Sequence, residues 1–366
     1  MLLGVVAALA VGFFAFSLTS FLTGPGEQAG PTPLPTPSEV EPTPEPTPEL
    51  PSPAPTPEPP SPQPTLGPQT PTPAPPSPAP SSEPPTPQPT PTPEQKPSYP
   101  PTGVPKPDKK PPKAPEPKTW GQVDAWLAKN ALYKRSVKAT KCTVGRIDHQ
   151  TATVKELQKH LDTLTGCLMM AWQKPMKDSG FKMPRPPLTV FTDPITTACG
   201  QVGGLNAAYC SGDQRIYYAH KLHEVFLNIN PQVADNAFFA DYIVAHEFGH
   251  AIQNRSGIRI AMLLDQYRAK TDKKKLELSR RLELQADCLA GVFLNAVSKA
   301  SYLTKSDRAQ IVELAQAGGD DTLSGNPKAQ GDHGQGANRK RWVNAGLGSA
   351  KVSVCRTFAA SAKQVR

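Results

Sequence analysis

The sequence predicts a helix-dominated α+β domain with a small sheet, preceded by a transmembrane helix and a disordered proline-rich stalk. Three observations support this prediction. Residues 2–22 carry no charge, 39 of the 46 prolines lie between Pro25 and Pro117, and helical apolar spacing begins only after residue 118. The proline-rich part cannot bury enough apolar surface to fold, so the chain is not one globule. We therefore predict three segments: 1–24, 25–118 and 119–366.

The first segment has the length of a membrane span. At about 1.5 Å per residue, a helix over residues 2–22 crosses roughly 30 Å of bilayer hydrocarbon. No Lys or Arg precedes the apolar run and no Ala-x-Ala site follows it, which favours a retained anchor over a cleaved signal peptide. We expect a single-pass membrane protein with its domain outside the cytoplasm, or a secreted protein if the N-terminus is cleaved.

The proline tract predicts an extended spacer. Proline at nearly every second position enforces polyproline II, which rises about 3.1 Å per residue. The domain that follows, residues 119–366, carries 34 basic and 21 acidic side chains, a net charge of +13. That charge suits an anionic cell-wall polymer as a partner. The lysines are scattered and no nucleic-acid-binding signature accompanies them, so nucleic acid is not an expected partner.

Hydrophobic spacing predicts the elements of the domain. Helical periodicity favours helices over residues 121–134, 153–174, 233–254, 272–299, 306–317 and 335–344. A short strand is predicted at residues 188–191, and a hairpin at residues 207–219 around a Ser-Gly-Asp-Gln turn. The hairpin could offer an edge strand to an extended peptide or be ordinary sheet. A glycine-rich loop is predicted over residues 318–337.

Six cysteines lie in the third segment, and their even number agrees with an exported domain. The strongest local prediction pairs Cys199 with Cys210 across a glycine-rich loop. Cys142 with Cys167 is the second expectation. A bridge between Cys288 and Cys355 follows only by elimination, because sequence alone does not choose among the possible pairings.

The chemistry of the chain centres on the HEFGH motif at residues 246–250. His246 and His250 lie four residues apart and therefore share one helix face, where two imidazoles can bind one zinc ion. Glu247 flanks that position, where a metal-bound water would lie, and is the predicted general base. A catalytic zinc site also needs a third protein ligand and an open position.

Glu283 is the predicted third ligand, with Glu277 as its main competitor. Asp287 lies four residues after Glu283 on the same face and is predicted to accept the N–H of a ligand histidine. Glu277 lies about 240° round the helix from this stripe and should face elsewhere. Small residues on the stripe would let this helix approach the HEFGH helix closely: Ala286, Ala290 and Gly291.

Three blocks of the sequence together resemble the neutral zinc metallopeptidase family of bacteria: HEFGHAIQ, RLELQADCLAGVF and HGQGANRKRWVNAG. The resemblance covers roughly residues 140–358. It implies a zincin-like fold of the type whose third ligand is glutamate, and a protein or peptide substrate. By the same resemblance, His246, His250 and Glu283 would bind Zn²⁺ and Glu247 would be the catalytic base.

An oxyanion that develops during peptide hydrolysis needs a donor besides the metal. His333 is the candidate, on its position next to the third family-like block. Tyr217 and Tyr218 in the predicted hairpin are the alternatives.

Two functions from different classes follow. The first is a membrane-anchored, extracytoplasmic zinc metallopeptidase, an endopeptidase by expectation, that hydrolyses peptide bonds through a zinc-activated water with Glu247 as general base. The alternative is a non-catalytic binding or scaffold module of the cell envelope, whose zinc site is structural or vestigial.

Overall fold

The computed structural model describes residues 105–138, 142, 144–227, 229–298 and 303–366. These residues confirm the prediction of a helix-dominated α+β architecture with a small sheet. The predicted transmembrane helix and most of the predicted stalk fall in residues 1–104, outside the described residues. None of the helices in the described ranges is both long enough and apolar enough to cross a bilayer.

The helices frame the domain and carry most of its core. In chain order they are α1 Trp120–Ala128, α2 Val154–Asp178, α3 Glu224–Leu227, α4 Pro231–Ala234, α5 Phe239–Arg255, α6 Ile258–Arg268, α7 Asp272–Ser298, α8 Lys305–Ala317, α9 Asp320–Ser324 and α10 Gly336–Leu347. Short 3₁₀ helices cover Ala131–Lys134, Val352–Cys355, Thr357–Ala359 and Ala362–Val365. The apolar face predicted for α2 is buried: Leu157, Leu161, Leu164 and Leu168.

Within the described ranges, five strands form two small sheets. They are β1 Leu188–Phe191, β2 Ile195–Thr197, β3 Gly200–Val202, β4 Ala207–Cys210 and β5 Arg215–Ala219. The larger sheet has the order β1-β5-β4, with β1 parallel and β4 antiparallel to β5. Strand β4 is therefore an edge strand of this sheet. Strands β2 and β3 form a separate antiparallel pair.

Several predicted helix bounds differ from the structure for local reasons. The helix predicted over residues 121–134 stops at Ala128 and resumes as a 3₁₀ turn, because the Asn130 side chain accepts the Leu132 N–H. The helix predicted from residue 233 begins at Phe239, since Asn236 accepts the Phe238 N–H just before it. Helix α6 was not predicted.

Residues 105–118, the end of the predicted stalk, pack on the domain. The Asp108 N–H donates to the Arg185 carbonyl at 2.9 Å. Gln214 and Arg255 donate to the Pro112 carbonyl at 3.0 and 2.7 Å. Folded contacts thus begin upstream of the predicted boundary at residue 118, because backbone carbonyls of a proline-rich segment remain free to accept hydrogen bonds.

Three disulfides link distant parts of the domain. They join Cys142 to Cys167, Cys199 to Cys210 and Cys288 to Cys355, with Cα–Cα distances of 5.5, 5.6 and 5.5 Å. The first fastens the segment before α2 to α2 itself. The second closes the loop that holds β3, and the third ties α7 to the C-terminal 3₁₀ helices. These are the pairings that were favoured from the sequence, including the one reached by elimination.

Candidate metal centre and active site

Helix α5 presents the HEFGH motif towards an open cleft. The helix is buried along nearly its whole length, and His246, Glu247 and His250 are only 6–8 % exposed. Its N-terminal half anchors it in the core through Phe239 and Tyr242, which are 0 and 1 % exposed. The two histidines share one face of this rigid element, because residues four apart lie one above the other on a helix.

Helices α5 and α7 cross closely enough for a residue of α7 to reach the two histidines. A Cβ atom added at Gly249 would lie 3.0 Å from the Cα of Ala286. The small residues Gly249 and Ala286 therefore permit the short distance between the two helices, and Ala286 belongs to the stripe of small residues predicted for this role. Gly291 on the same stripe serves a different contact: a Cβ there would lie 2.5 Å from the Val343 carbonyl of α10.

The crossing brings three potential metal ligands to one point. The Nε2 atoms of His246 and His250 are 3.2 Å apart, and the Glu283 Oε2 lies 3.2 and 3.3 Å from them. Ligand atoms bound at about 2.0–2.1 Å in a tetrahedral zinc site are about 3.3 Å from one another. The three distances therefore fit three corners of a zinc tetrahedron, and the fourth corner is left for water or substrate.

The ring protons of both histidines point away from this ligand set. The Nδ1–H of His246 donates to Asp287 at 2.8 Å, and the Nδ1–H of His250 donates to the Gln253 Oε1 at 2.8 Å. Gln253 is held in that orientation because its Nε2 donates to the Leu282 carbonyl at 2.7 Å. In neutral rings both Nε2 atoms are then acceptors. Two ring acceptors and a carboxylate converge, and a cation satisfies all three.

Asp287 is the acceptor of a buried network behind the metal ligands. It is fully buried and accepts hydrogen bonds from Tyr242 at 2.6 Å, from His246, and from Arg339 through two nitrogens at 2.8 and 2.9 Å. Burial by itself raises the pKa of Asp287, but Arg339 and His246 hold it well below its ordinary value. Asp287 is therefore ionised and fixes the ring angle of His246.

The acidic surroundings of the ligand set favour positive charge at this point. Burial by itself lowers the pKa of His246, but hydrogen bonds to Asp287 and Glu283 raise it to about 10. Burial raises the pKa of Glu283, yet the rings of His250 and His246 hold it well below its ordinary value. The raised pKa of His246 and the lowered pKa of Glu283 have the same cause, which is that positive charge on the rings is attracted by the carboxylates. A bound metal ion would supply that positive charge instead of a proton.

Glu247 is tied to the edge of the sheet. The Tyr209 N–H of β4 donates to the Glu247 Oε2 at 2.7 Å. The same strand is joined to α5 a second time, because the Asn254 amide donates to the Tyr209 hydroxyl at 3.0 Å. The carboxylate is thus oriented between the edge strand and the ligand set.

Sequence reasoning missed two of these positioning residues. Gln253 follows His250 by three residues on the same helix face, so helical spacing was a signal that could have identified it. The contact of Tyr209 with Glu247 joins residues 38 positions apart. It depends on how the sheet packs on α5, and local sequence carries no signal for it.

Of the three residues predicted as candidate oxyanion donors, one lines the cleft. His333 lines the cleft together with the HEFGH motif, and its Nδ1 lies 2.8 Å from the Asp332 carboxylate. Tyr217 and Tyr218 are not among the described residues that line the cleft. The Tyr217 hydroxyl donates instead to Asp213 at 2.5 Å, and Tyr218 is fully buried.

Glu277, the competitor for the third-ligand position, faces away from the histidines. It forms ion pairs with Lys274 at 3.0 Å and Arg281 at 2.9 Å. The angle between Glu277 and Glu283 round the helix predicts that they face different directions, and the structure agrees.

The cleft in front of the ligand set has a cavity volume of about 180 Å³. Strand β4 forms one wall, helices α5 and α7 form its floor, and the loop that carries His333 forms another part. Most of the remaining lining is apolar, with Phe226, Ile243 and Met262 among its members. The cleft is therefore suited to an extended chain with apolar side chains.

Comparison with known proteins agrees with this geometry. The model of the family described as "Putative neutral zinc metallopeptidase" matches residues 130–358. The uncharacterized protein YpfJ of Escherichia coli K12 is 30% identical over 199 residues, which span 52% of this chain and 67% of the relative. The uncharacterized protein Rv2575 of Mycobacterium tuberculosis H37Rv is 29% identical over 195 residues, which span 48% of this chain and 64% of the relative. No solved structure matches the chain.

Proposed function

The chain belongs to the neutral zinc metallopeptidase family, whose metal is zinc, and from that premise we propose that it hydrolyses peptide bonds with Glu247 as general base. The single observation that carries the proposal is the convergence of the His246, His250 and Glu283 ligand atoms at 3.2–3.3 Å, beside a carboxylate that is not part of the ligand set. A purely structural zinc site has four protein ligands and needs no such neighbour.

The residues around the ligand set divide the chemistry between them. When bound, zinc polarises a peptide carbonyl and lowers the pKa of a bound water towards about 7. Glu247 accepts the proton of the attacking water and later donates it to the leaving amine. Burial by itself lowers the pKa of His333, but the hydrogen bond to Asp332 raises it to about 9, so the ring carries both of its protons near neutral pH. Its Nε2–H can then donate a hydrogen bond to the oxyanion that develops on the carbonyl oxygen. Asp287 and Gln253 keep the two histidines in the ligand tautomer.

The outer edge of β4 is the proposed binding position of the substrate backbone. The two N–H groups on this edge donate to the Asn206 side chain and to Glu247. The peptide would therefore pair through the Ala207 and Tyr209 carbonyls. The Ala219 N–H donates to the Asn206 carbonyl, so in an antiparallel ladder the backbone groups of Ala207 and Tyr209 point away from β5. The Tyr209 N–H follows this rule, since it reaches Glu247 instead. An extended peptide that pairs with this edge would carry its scissile bond past the ligand set.

The proposal extends to the place where the domain works. An uncharged run over residues 2–22, a proline-rich tract after it and a domain rich in disulfides support a catalytic domain held outside the membrane on a single-pass anchor. The domain would comprise the residues that follow the tract. Protease treatment of intact cells that produce the full chain should remove the domain while the cytoplasm stays protected. Full protection of the domain would contradict this placement.

Replacement of Glu247 by glutamine tests the catalytic proposal. The Glu247→Gln protein should retain zinc but cleave casein or a peptide library about 10²–10⁴-fold more slowly, because the amide cannot take a proton. Metal content is measured by atomic absorption, and cleavage by mass spectrometry with and without a chelator.

The matched control is Glu277→Gln, the same chemical change in an ion pair outside the cleft. It should keep both zinc and the parental rate. Equal rates for the parent and Glu247→Gln would contradict the mechanism. Zinc retention without any chelator-sensitive cleavage by the parent would favour a binding or scaffold module.

A further inference from the structure

Arg259 is a charged residue of the cleft that the proposed chemistry does not use. It is the second residue of α6, which begins two residues after the end of the HEFGH helix. Gly257, with φ of 77°, turns the chain between the two helices, and a Cβ there would lie 2.3 Å from the Trp126 ring. The direction in which Arg259 leaves the turn is therefore set by a position that only glycine fits.

The guanidinium of Arg259 has no partner in the described part of the chain. It lines the cleft beside His246, Glu247 and Glu283, and its buried Nε meets no hydrogen-bond acceptor among the described residues. The other arginine of the cleft lining, Arg339, is bound to Asp287 through two nitrogens.

The acidic groups that attract the Arg259 guanidinium already have other roles or partners. Burial lowers the pKa of Arg259, while Glu283, Tyr209 and Glu247 oppose that effect by electrostatic attraction. Glu283 is a metal ligand in the proposed function, and Glu247 accepts the Tyr209 N–H. A metal ion at the ligand set would repel the guanidinium. Arginine remains charged in proteins, so an anion that arrives with the substrate would pair with a charge that the described residues leave unpaired.

We propose that Arg259 binds a carboxylate group of the peptide substrate and so determines which peptides the cleft accepts. Planar guanidinium groups hold carboxylates through two parallel hydrogen bonds, which are stronger than neutral ones. The surrounding lining, with Phe226, Ile243 and Met262, is apolar and would receive the neighbouring side chains. The substrate class is therefore a peptide that combines apolar residues with a carboxylate near the scissile bond. The inference rests on the proposed peptidase function.

The carboxylate can come from two sources with the same chemistry: an Asp or Glu side chain, or the free C-terminus of the peptide. Four pools of random decapeptides separate them. Two pools contain Asp and Glu at the random positions and two exclude them, and each kind is made with a free or an amidated C-terminus. Zinc-loaded Glu247→Gln protein serves as the receptor, so the peptides stay intact, and mass spectrometry measures the peptides retained after gel filtration.

The comparison is between the Glu247→Gln receptor and the same receptor with Arg259→Gln. Pools that carry a carboxylate should be retained about tenfold more by the form with Arg259, since a buried charge-assisted hydrogen bond is worth at least that factor. The fully neutral pool should be retained equally by both. Arg259→Lys, which keeps the charge, should restore part of the preference. Arg268→Gln is the matched control on the same helix, because its ion pairs with Asp124 and Asp265 lie outside the cleft lining.

Four results would overturn the proposal. They are failure of the form with Arg259 to retain any pool, equal retention of acidic and neutral pools by that form, an acidic preference that survives in Arg259→Gln, and an equal loss of all four pools in that variant. The last would mean that Arg259 supports the cleft or binds a carbonyl of every peptide. Unfolding temperature and zinc content show whether each variant is folded.

Failure of the peptidase proposal is measured separately. Chelator-sensitive cleavage by the parent requires Glu247, whereas retention of peptides by the Glu247→Gln receptor does not require cleavage. An acidic preference that depends on Arg259 in a protein that cleaves nothing would therefore reject the peptidase proposal and leave the carboxylate site standing.

Discussion

Two clusters in the cleft region each gather three residues of metal-binding type. His246, His250 and Glu283 form one, and Asp320, Asp332 and His333 form the other; in each, the ligand atoms lie within 4.8 Å of one another. By proximity and by the number of potential metal ligands alone, the two clusters are equivalent. They differ in where their protons and hydrogen bonds are, and that difference separates a metal site from a hydrogen-bonded loop.

The first cluster consists of acceptors that face one point. Both histidines donate their Nδ1 protons to groups behind them, Asp287 and Gln253, so both Nε2 atoms are acceptors in the neutral rings that bind a metal. In the second cluster the His333 Nδ1 lies 2.8 Å from Asp332, and the Asp320 carboxylate accepts the Gly334 N–H at 2.8 Å. His333 is therefore paired with Asp332 inside the cluster, and Asp320 is already paired with a backbone N–H. Convergent acceptor atoms without hydrogen-bond donors indicate a metal site. A count of neighbouring His, Asp and Glu residues does not.

Loss of Glu283 should break the first cluster. Glu283→Ala removes the only ligand that α7 contributes to the set, so zinc affinity should fall by more than the factor of about 10–100 that outer contacts are worth. Zinc content after dialysis against a weak chelator measures the effect, and circular dichroism shows whether the fold remains.

Asp332→Asn is the matched test on the second cluster. As Glu283→Ala does in the first cluster, it removes one carboxylate from a set of three neighbouring potential ligands. Zinc stoichiometry should stay at that of the parent. If Asp332→Asn lowered zinc content as far as Glu283→Ala does, the proton-based distinction between the clusters would fail.

Loss of Asp287 should weaken the first cluster without removing a ligand. Asp287→Asn replaces an acceptor of four hydrogen bonds, so His246 loses its fixed tautomer and zinc affinity should fall about 10–100-fold. The buried Arg339 also loses its charge partner, which should cost about 3–5 kcal/mol of unfolding free energy. Chelator competition and denaturant unfolding measure the two effects.

An unchanged zinc affinity in Asp287→Asn would mean that the histidines are oriented by the helix alone. Unchanged stability with weaker zinc binding would mean instead that Arg339 finds another partner. Either result would sharpen the comparison, because it would separate the orienting role of Asp287 from its role in the core.

Local sequence predicted much of the helical framework. Helix α7 and strand β1 follow their predicted bounds within one residue, because each has strong periodicity or clear flanking stop signals. Helix α6 and the β2–β3 pair escaped prediction. Helix α6 follows the HEFGH helix after only two residues, Ser256 and Gly257. Strands β2 and β3 have three residues each, too few to show a periodicity.

The pairing of the two histidines follows from the sequence, since residues four apart share a helix face whatever surrounds the helix. The sequence also narrowed the third ligand to Glu283 over Glu277, because the angle between them on one helix is local geometry. The contact of Tyr209 with Glu247, and the position of Arg259 in the cleft with no partner for its Nε among the described residues, come from the tertiary structure. The physical reason is that these relations join separate elements. These contacts depend on how α5, α6 and the sheet pack together, and the periodicity of a single segment carries no information about that packing.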